Sequence, residues 1–266
     1  MNSTQAEING VIRHFNHRPS ARGARGTCSL MHMPRVKMVR ATQEVAVYNN
    51  SNLIVEVLDQ MALGSCELNA WDNVLRSLQV LEFTLERMAA ASLSFDAALQ
   101  QIMQYPPELA SRLFLYFAAQ AMGGYAGQGD TGTSSVDVAA ALMTVGFCRE
   151  SEDPYRDDPD AISPGDRLVE LSAKAYDQRM SATARVDSYS MTRAQKQAAI
   201  TAALAAKYVI AYATPWDTTA SNLSPGEIWR GPTGRILGGH CIALLGIGPA
   251  NQLCPHTTST EVVALV

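Results

Sequence analysis

Apolar positions fall into helical register just after residue 65. Leu68, Trp71, Leu75 and Leu78 lie on one stripe, which predicts an amphipathic helix starting at Cys66 with one buried face. Ser65 occupies the position where an N-cap belongs. Further helical stretches are expected at 94–104 and 107–122, with Pro106-Pro107 breaking the chain between them. Residues 123–134 are rich in Gly, Asp and Thr and read as a loop, and 136–145 is again helical. The polar turn Asp157-Asp158-Pro159-Asp160 marks a change of character. Beyond it, the Ala/Gln/Lys-rich stretch 192–206 predicts a strong helix. Residues 208–212 and 241–247 read as short strands, the second too apolar to be exposed. Residues 1–44 are polar and basic, and Pro19, Gly23, Gly26 and Pro34 interrupt any periodicity, so they read as an extended N-terminal segment. There are no internal repeats. Helices first and strands later predict an α+β chain with segregated halves, 45–160 mainly helical and 161–266 mainly β.

A chain of 266 residues can hold one large domain or two half-domains sharing a cleft. Apolar residues at 47% and charged residues at 17% suit a globular protein with a real core. The net charge of -4 leaves no electrostatic footprint for nucleic acid or an anionic membrane. The exception is local: between Arg13 and Arg40 there are six arginines, one lysine and no acidic residue. Such a run reads as a solvated arm or a docking element. No stretch is long and apolar enough to span a bilayer. The first thirty residues lack an apolar core followed by a cleavage site, so a cytoplasmic or non-classically exported protein is expected. The cysteines, at 28, 66, 148, 241 and 254, are odd in number and widely spaced. That makes a poor disulfide framework. No pair has C-x-x-C spacing, so neither a metal nor a cofactor is expected, and a reduced compartment is the simpler reading.

The candidate chemistry lies in Asp59-Gln60-Met61-Ala62-Leu63-Gly64-Ser65-Cys66-Glu67-Leu68-Asn69-Ala70 and, far downstream, Gly238-Gly239-His240-Cys241. A thiol is a weak nucleophile until ionised. A helix N-terminus and a neighbouring imidazolium both favour the thiolate. Cys66 at a helix start is therefore a candidate nucleophile, against the alternative of a buried structural cysteine. Gln60 is a candidate oxyanion donor together with the backbone N–H of Cys66, against that of a surface turn residue. His240 is the candidate base, against that of a satisfied core histidine at a strand start. His14, His17 and His32 lie in the irregular arm.

These residues resemble the papain-like cysteine peptidases, in particular their bacterial and viral branch, where the nucleophile region reads approximately D-Q-x-x-L-G-S-C-x-x-N-A and the histidine region G-G-H-A-V-x-x-x-G. The resemblance continues in order through Ser111-Arg112-Leu113-Phe114-Leu115-Tyr116, Asp130-Thr131-Gly132-Thr133, Gly146-Phe147-Cys148-Arg149-Glu150 and Asp153-Pro154-Tyr155. It runs from about Val45 to Gly248. It implies a helical half packed against a β-barrel-like half with the active-site cleft between them. It also implies hydrolysis of peptide bonds in a peptide or protein substrate through a Cys66 thiolate and His240 acyl-enzyme mechanism, without a cofactor. Gly132 and Thr133 would border the substrate backbone, as would Gly64 and Gly239. The N-terminal segment would be a candidate intramolecular inhibitor of a zymogen.

The chain departs from the family pattern at several places. The frequent disulfide partner three residues before the nucleophile is Leu63. Glu67 follows the cysteine where Trp is common; its rotation around the helix is expected to point it away from the thiol. The family's N-S-W-G motif, whose Asn orients the histidine, is absent from 249–266, and Asn251 is the asparagine available for the role. A carbonyl, a water or a Thr side chain are alternatives for it. Two other functions stay open: a Cys–His amide transferase or deamidase, and a catalytically impaired binding module that keeps the cleft.

Overall fold

The structure, a computed structural model, describes residues 46–186, 190–224, 227–254 and 256–266, together with the backbone of 5–8, 11–14 and 28–29. The reading of residues 1–44 as an arm otherwise lies outside the described residues.

Helix α1 (Cys66–Ala91) is the centrepiece and runs well past the four apolar residues that announced it. It ends at Ser92, which takes a left-handed conformation at φ 51°. The chain reverses there. Ser94 caps α2 (Phe95–Gln104) by accepting from Ala97 N at 3.2 Å, and Leu99 packs back on Val80 and Leu81 of α1.

The helix expected from 107 starts later. Asp72 of α1 accepts the N–H of Ala110 at 2.8 Å, and Ala110 bridges Arg149, which keeps 107–110 extended. Only at Ser111, whose hydroxyl accepts from Phe114 N at 3.1 Å, does α3 (Arg112–Gly123) begin. Helix α4 (Ser135–Thr144) packs on α3. Leu68, Leu75, Leu113, Leu115, Tyr116, Val138 and Leu142 form the main core where α1, α3 and α4 meet. Burying each of the large ones contributes about 1.5–3 kcal/mol. At Gly146 (φ 87°) the chain turns so closely against the next helix that a Cβ would run into the carbonyl oxygen of Ala175.

The second half is more helical than its sequence suggested. Besides strands it holds α5 (Leu168–Tyr176), which the sequence pattern did not announce, and α6 (Arg193–Ala205), started by a capping box between Thr192 and Gln195. Strand β6 (Ile210–Asp217) is longer than its apolar core, and after the short α7 (Thr218–Ser221) it pairs antiparallel with β7 (Ile236–Leu244). Strand β8 (Gly246–Pro249) lies between β4 (Tyr48–Asn49) and β9 (Val262–Leu265), with α8 (Ala250–Leu253) connecting β8 to β9. Two further pairs are β1 (Gln5–Ile8) with β2 (Val11–His14), and β3 (Cys28–Ser29) with β5 (Ala184–Arg185). Among the described residues these sheets remain separate and open, rather than closing into a barrel. Helix α1 meets the β half by packing on β6 and β7. No helix among the described residues is long and apolar enough to cross a membrane.

Candidate active site

The turn before α1 is tied down by carboxylates from three parts of the chain. Asp59 accepts from Met61 N at 2.8 Å, Asp157 from Ala62 N at 2.9 Å, and both oxygens of Asp130 from Gly64 N at 3.0 Å. Met61 takes a positive φ of 52° inside this turn. Ser65 is the N-cap by position, but its hydroxyl makes no capping bond. It donates instead to the Tyr155 hydroxyl at 2.6 Å, which itself donates to Gln60 O at 2.7 Å.

Behind this lies a charged bracket. Arg112 donates to Asn69 Oδ1 at 2.9 Å and to Glu150 Oε1 at 2.9 Å, and its guanidinium lies 4.0 Å above the Tyr155 ring. Asn69 closes the circuit by donating to Ser65 O at 2.9 Å. The ordered motif series thus has a structural meaning: Arg112, Glu150 and Tyr155, scattered in sequence, converge to hold the residues before Cys66. Sequence alone marked them without a role.

Cys66 is the first residue of α1, and its side chain is buried against Ala70, Cys241 and Ala211. The backbone N–H groups of Cys66 itself, Glu67 and Cys241 lie near its sulfur. The Cys241 N–H belongs to the peptide that joins it to His240, so the thiol sits against the strand at the predicted histidine. Burial, and after it the Glu67 carboxylate, push the thiol up to about 12 against the three N–H groups. Burial thus opposes the ionisation that a helix N-terminus favours. Glu67 is fully buried. Glu67 accepts from Trp71 Nε1 at 3.0 Å and from Ser135 Oγ. The Cys241 thiol donates to it as well. Burial first and Glu67 second push Cys241 well above the usual thiol range.

Gln60 is buried, and its side-chain amide donates to Leu63 O at 2.9 Å. An amide nitrogen carries two hydrogens, so this bond fixes the side chain beside the nucleophile turn. His240 pairs with Thr214 across the β6–β7 ladder. Strand alternation puts it on the face of Thr214 and Trp216, and Cys241 on the face toward α1. Trp216 stands directly opposite Gly238, and its ring reaches diagonally to the imidazole, with centroids 4.7 Å apart. Trp216 packs in turn on Trp229 and donates to Ser221 Oγ at 2.9 Å.

Sequence reasoning missed Asp217, the fully buried last residue of β6. Its carboxylate accepts from Thr219 Oγ1, Ala220 N, Trp229 Nε1, Thr233 N and Gly234 N. Burial pushes the carboxyl up, but these donors together hold it well below the usual carboxylate range. Asp217 thus knots the segment that carries both tryptophans next to His240. The one available signal was its place before Thr218-Thr219, an N-cap pattern.

Three of the proposed substrate contacts are engaged internally. Gly64 N–H is held by Asp130, and Gly132 N–H donates to the Tyr116 hydroxyl at 2.6 Å. Thr133 is fully buried, with Oγ1 3.0 Å from the Tyr125 hydroxyl. Gly239 is partly exposed on β7. Asn251 lies on α8, exposed and beyond the ends of β7 and β8, with its backbone N–H on Ser259 O. Among the described residues no group of three or more His, Cys, Asp and Glu side chains is arranged to hold a metal ion. Cys66, Cys148, Cys241 and Cys254 are free thiols.

No family model matches this sequence, and no curated protein matches it. Solved structures do. The chain is similar to xylellain, a cysteine protease from Xylella fastidiosa, at 19% identity and a TM-score of 0.59, over 91% of this chain and 81% of that one. Procathepsin B S9 from Trypanosoma congolense also matches, at 13% identity and a TM-score of 0.48, over 79% of this chain and 66% of that one. The chain has the α+β papain-like fold.

Proposed function

We propose that the protein is a papain-like cysteine peptidase that hydrolyses peptide bonds through an acyl-enzyme thioester on Cys66. The observation that carries this reading is the seat of Cys66: first residue of the central helix, with its sulfur against the peptide between His240 and Cys241, in a fold shared with xylellain. In the reaction, sulfur attacks the carbonyl carbon and its proton passes to His240, which returns it to the leaving amine. The Gln60 side-chain amide and the Cys66 N–H would meet the oxyanion. His240 is steadied by the Trp216 face, and Asn251 is the asparagine available as a third group. Gly239 would border the substrate. The basic N-terminal arm would restrain access to the cleft, a reading supported by its charge and by the pairing of β3 with β5 of the body.

A second reading, a binding module with impaired turnover, is favoured by the high, buried thiol. An epoxysuccinyl probe distinguishes them. Labelling at Cys66 together with cut peptide products supports the peptidase, whereas absence of both supports the binding module. A mass-shifted glutamine in place of cut peptide would indicate an amide transferase or deamidase.

A further inference from the structure

The hydrogen bonds around the nucleophile turn run in one direction, and donor chemistry sets it. A guanidinium has no acceptor, so Arg112 fixes Oδ1 of Asn69 as the atom that accepts from it, at 2.9 Å. The Asn69 amide nitrogen then donates to Ser65 O at 2.9 Å and to Ser65 Oγ at 3.1 Å. At the far end the Gln60 carbonyl can only accept, so the Tyr155 hydroxyl gives it its one hydrogen, at 2.7 Å. Ser65 therefore supplies the hydrogen of its 2.6 Å contact with Tyr155. The chain leads from the permanent charge of Arg112, through Asn69, Ser65 and Tyr155, to Gln60 O.

Tyr155 is itself pinned. Glu150 Oε1 accepts from Tyr155 N and from Arg112, each at 2.9 Å, and the Arg112 guanidinium covers the ring. Burial, with Ser65 and Arg112 opposing, pushes the phenol up to about 12, so it keeps the proton it donates. Gln60 is anchored at both ends, its carbonyl by Tyr155 and its side-chain amide by Leu63 O. Met61 follows with a positive φ of 52°, a conformation that persists only where its surroundings enforce it.

We infer that Tyr155 is a positioning residue for Gln60: its hydroxyl holds the Gln60 backbone so that the side-chain amide meets the oxyanion. This rests on the reading of Cys66 as nucleophile and Gln60 as oxyanion donor. The hydroxyl bonds Gln60 and Ser65, and Ser65 immediately precedes Cys66. Two routes to the reaction thus leave Tyr155, one through Gln60 to the oxyanion and one through Ser65 to the sulfur. The inference assigns the first. Gln60 receives the phenol's hydrogen, whereas Ser65 keeps its backbone bond to Asn69 without the phenol.

The test compares wild type, Tyr155→Phe, Gln60→Ala and the double variant, each as the full chain, on a fluorogenic peptide. Tyr155→Phe keeps the ring beneath Arg112 and removes only the hydroxyl. It should lower kcat by about tenfold, less than the roughly hundredfold of a donor removed outright, and leave KM within about twofold. Alkylation of Cys66 by iodoacetamide should stay within about twofold of wild type, because displacing iodide develops no oxyanion. In the Gln60→Ala background, Tyr155→Phe should cost less than about twofold further. An unchanged kcat overturns the inference. So does an equal loss in both backgrounds. Alkylation that falls in step with kcat also overturns it, since the effect then runs through Ser65 to the sulfur. Tyr155→4-fluorophenylalanine fills the hydroxyl's place without its proton and serves the same comparison if Tyr155→Phe does not melt cooperatively. A wild type that never cuts peptide removes the peptidase reading, and the Gln60 side-chain amide resonance then decides the positioning. Tyr155→Phe should move that resonance, and an unmoved one overturns the inference.

Discussion

Asp72, a buried carboxylate on α1, illustrates how far a single residue's environment departs from its type. Burial pushes Asp72 up to about 7, with the Ala110 N–H and Arg112 opposing. Its folded value lies above its unfolded value near 4, so the native state binds more protons between those pH values. The group's contribution is therefore fully present below about pH 4 and is lost as the pH rises toward 7. Asp72→Asn keeps an acceptor for Ala110 N and removes the titration. Its melting temperature should fall less than wild type's between pH 4 and 7, and parallel curves would show that Asp72 titrates as an ordinary surface carboxyl. At the site, His240→Ala should lower peptide turnover by at least a hundredfold, since it removes the acceptor of the thiol proton. Turnover within tenfold of wild type would assign the proton to another group.

At the scale of elements, Asp217 connects one loop to one strand. Replacing it with Ala leaves Ala220, Thr233 and Gly234 N–H groups without their acceptor. The expected result is a red-shifted tryptophan emission as Trp216 and Trp229 separate, with loss of turnover but retention of helical circular dichroism. Unchanged emission would mean that the loop holds itself. Thr192→Ala, at the exposed capping box of α6, should cost about 1 kcal/mol of stability without touching activity.

These elements also show what was legible in the sequence. Helices α1, α2, α4 and α6 announced themselves, because their caps and apolar stripes are local. The start of α3 did not, since the N–H of Ala110 goes to Asp72 in another helix and the pattern at 107 carries no trace of it. Cys66, Gln60 and His240 stood out by spacing. The buried turn of Glu67 was invisible, because its direction depends on Ser135 and Cys241. Strand closure, too, depends on pairings that no local pattern records.

For the whole molecule, charge is divided unevenly. The segment 13–40 carries seven positive charges against a net of -4 for the chain, which leaves the rest acidic. If the arm restrains the cleft, deleting residues 1–44 should raise the rate on a small peptide substrate, and high salt should raise the full-length rate toward it. Equal rates at low salt would make the arm a bystander.

The central claim is that Cys66 is a peptidase nucleophile, and hydrolysis of a fluorogenic peptide by wild type and Cys66→Ala tests it most directly. The change removes only a sulfur atom from a buried site, so the variant should melt near wild type. Turnover should be clear in the wild type and fall by at least a thousandfold in Cys66→Ala. Residual activity within tenfold of wild type, in a folded variant, would contradict the account.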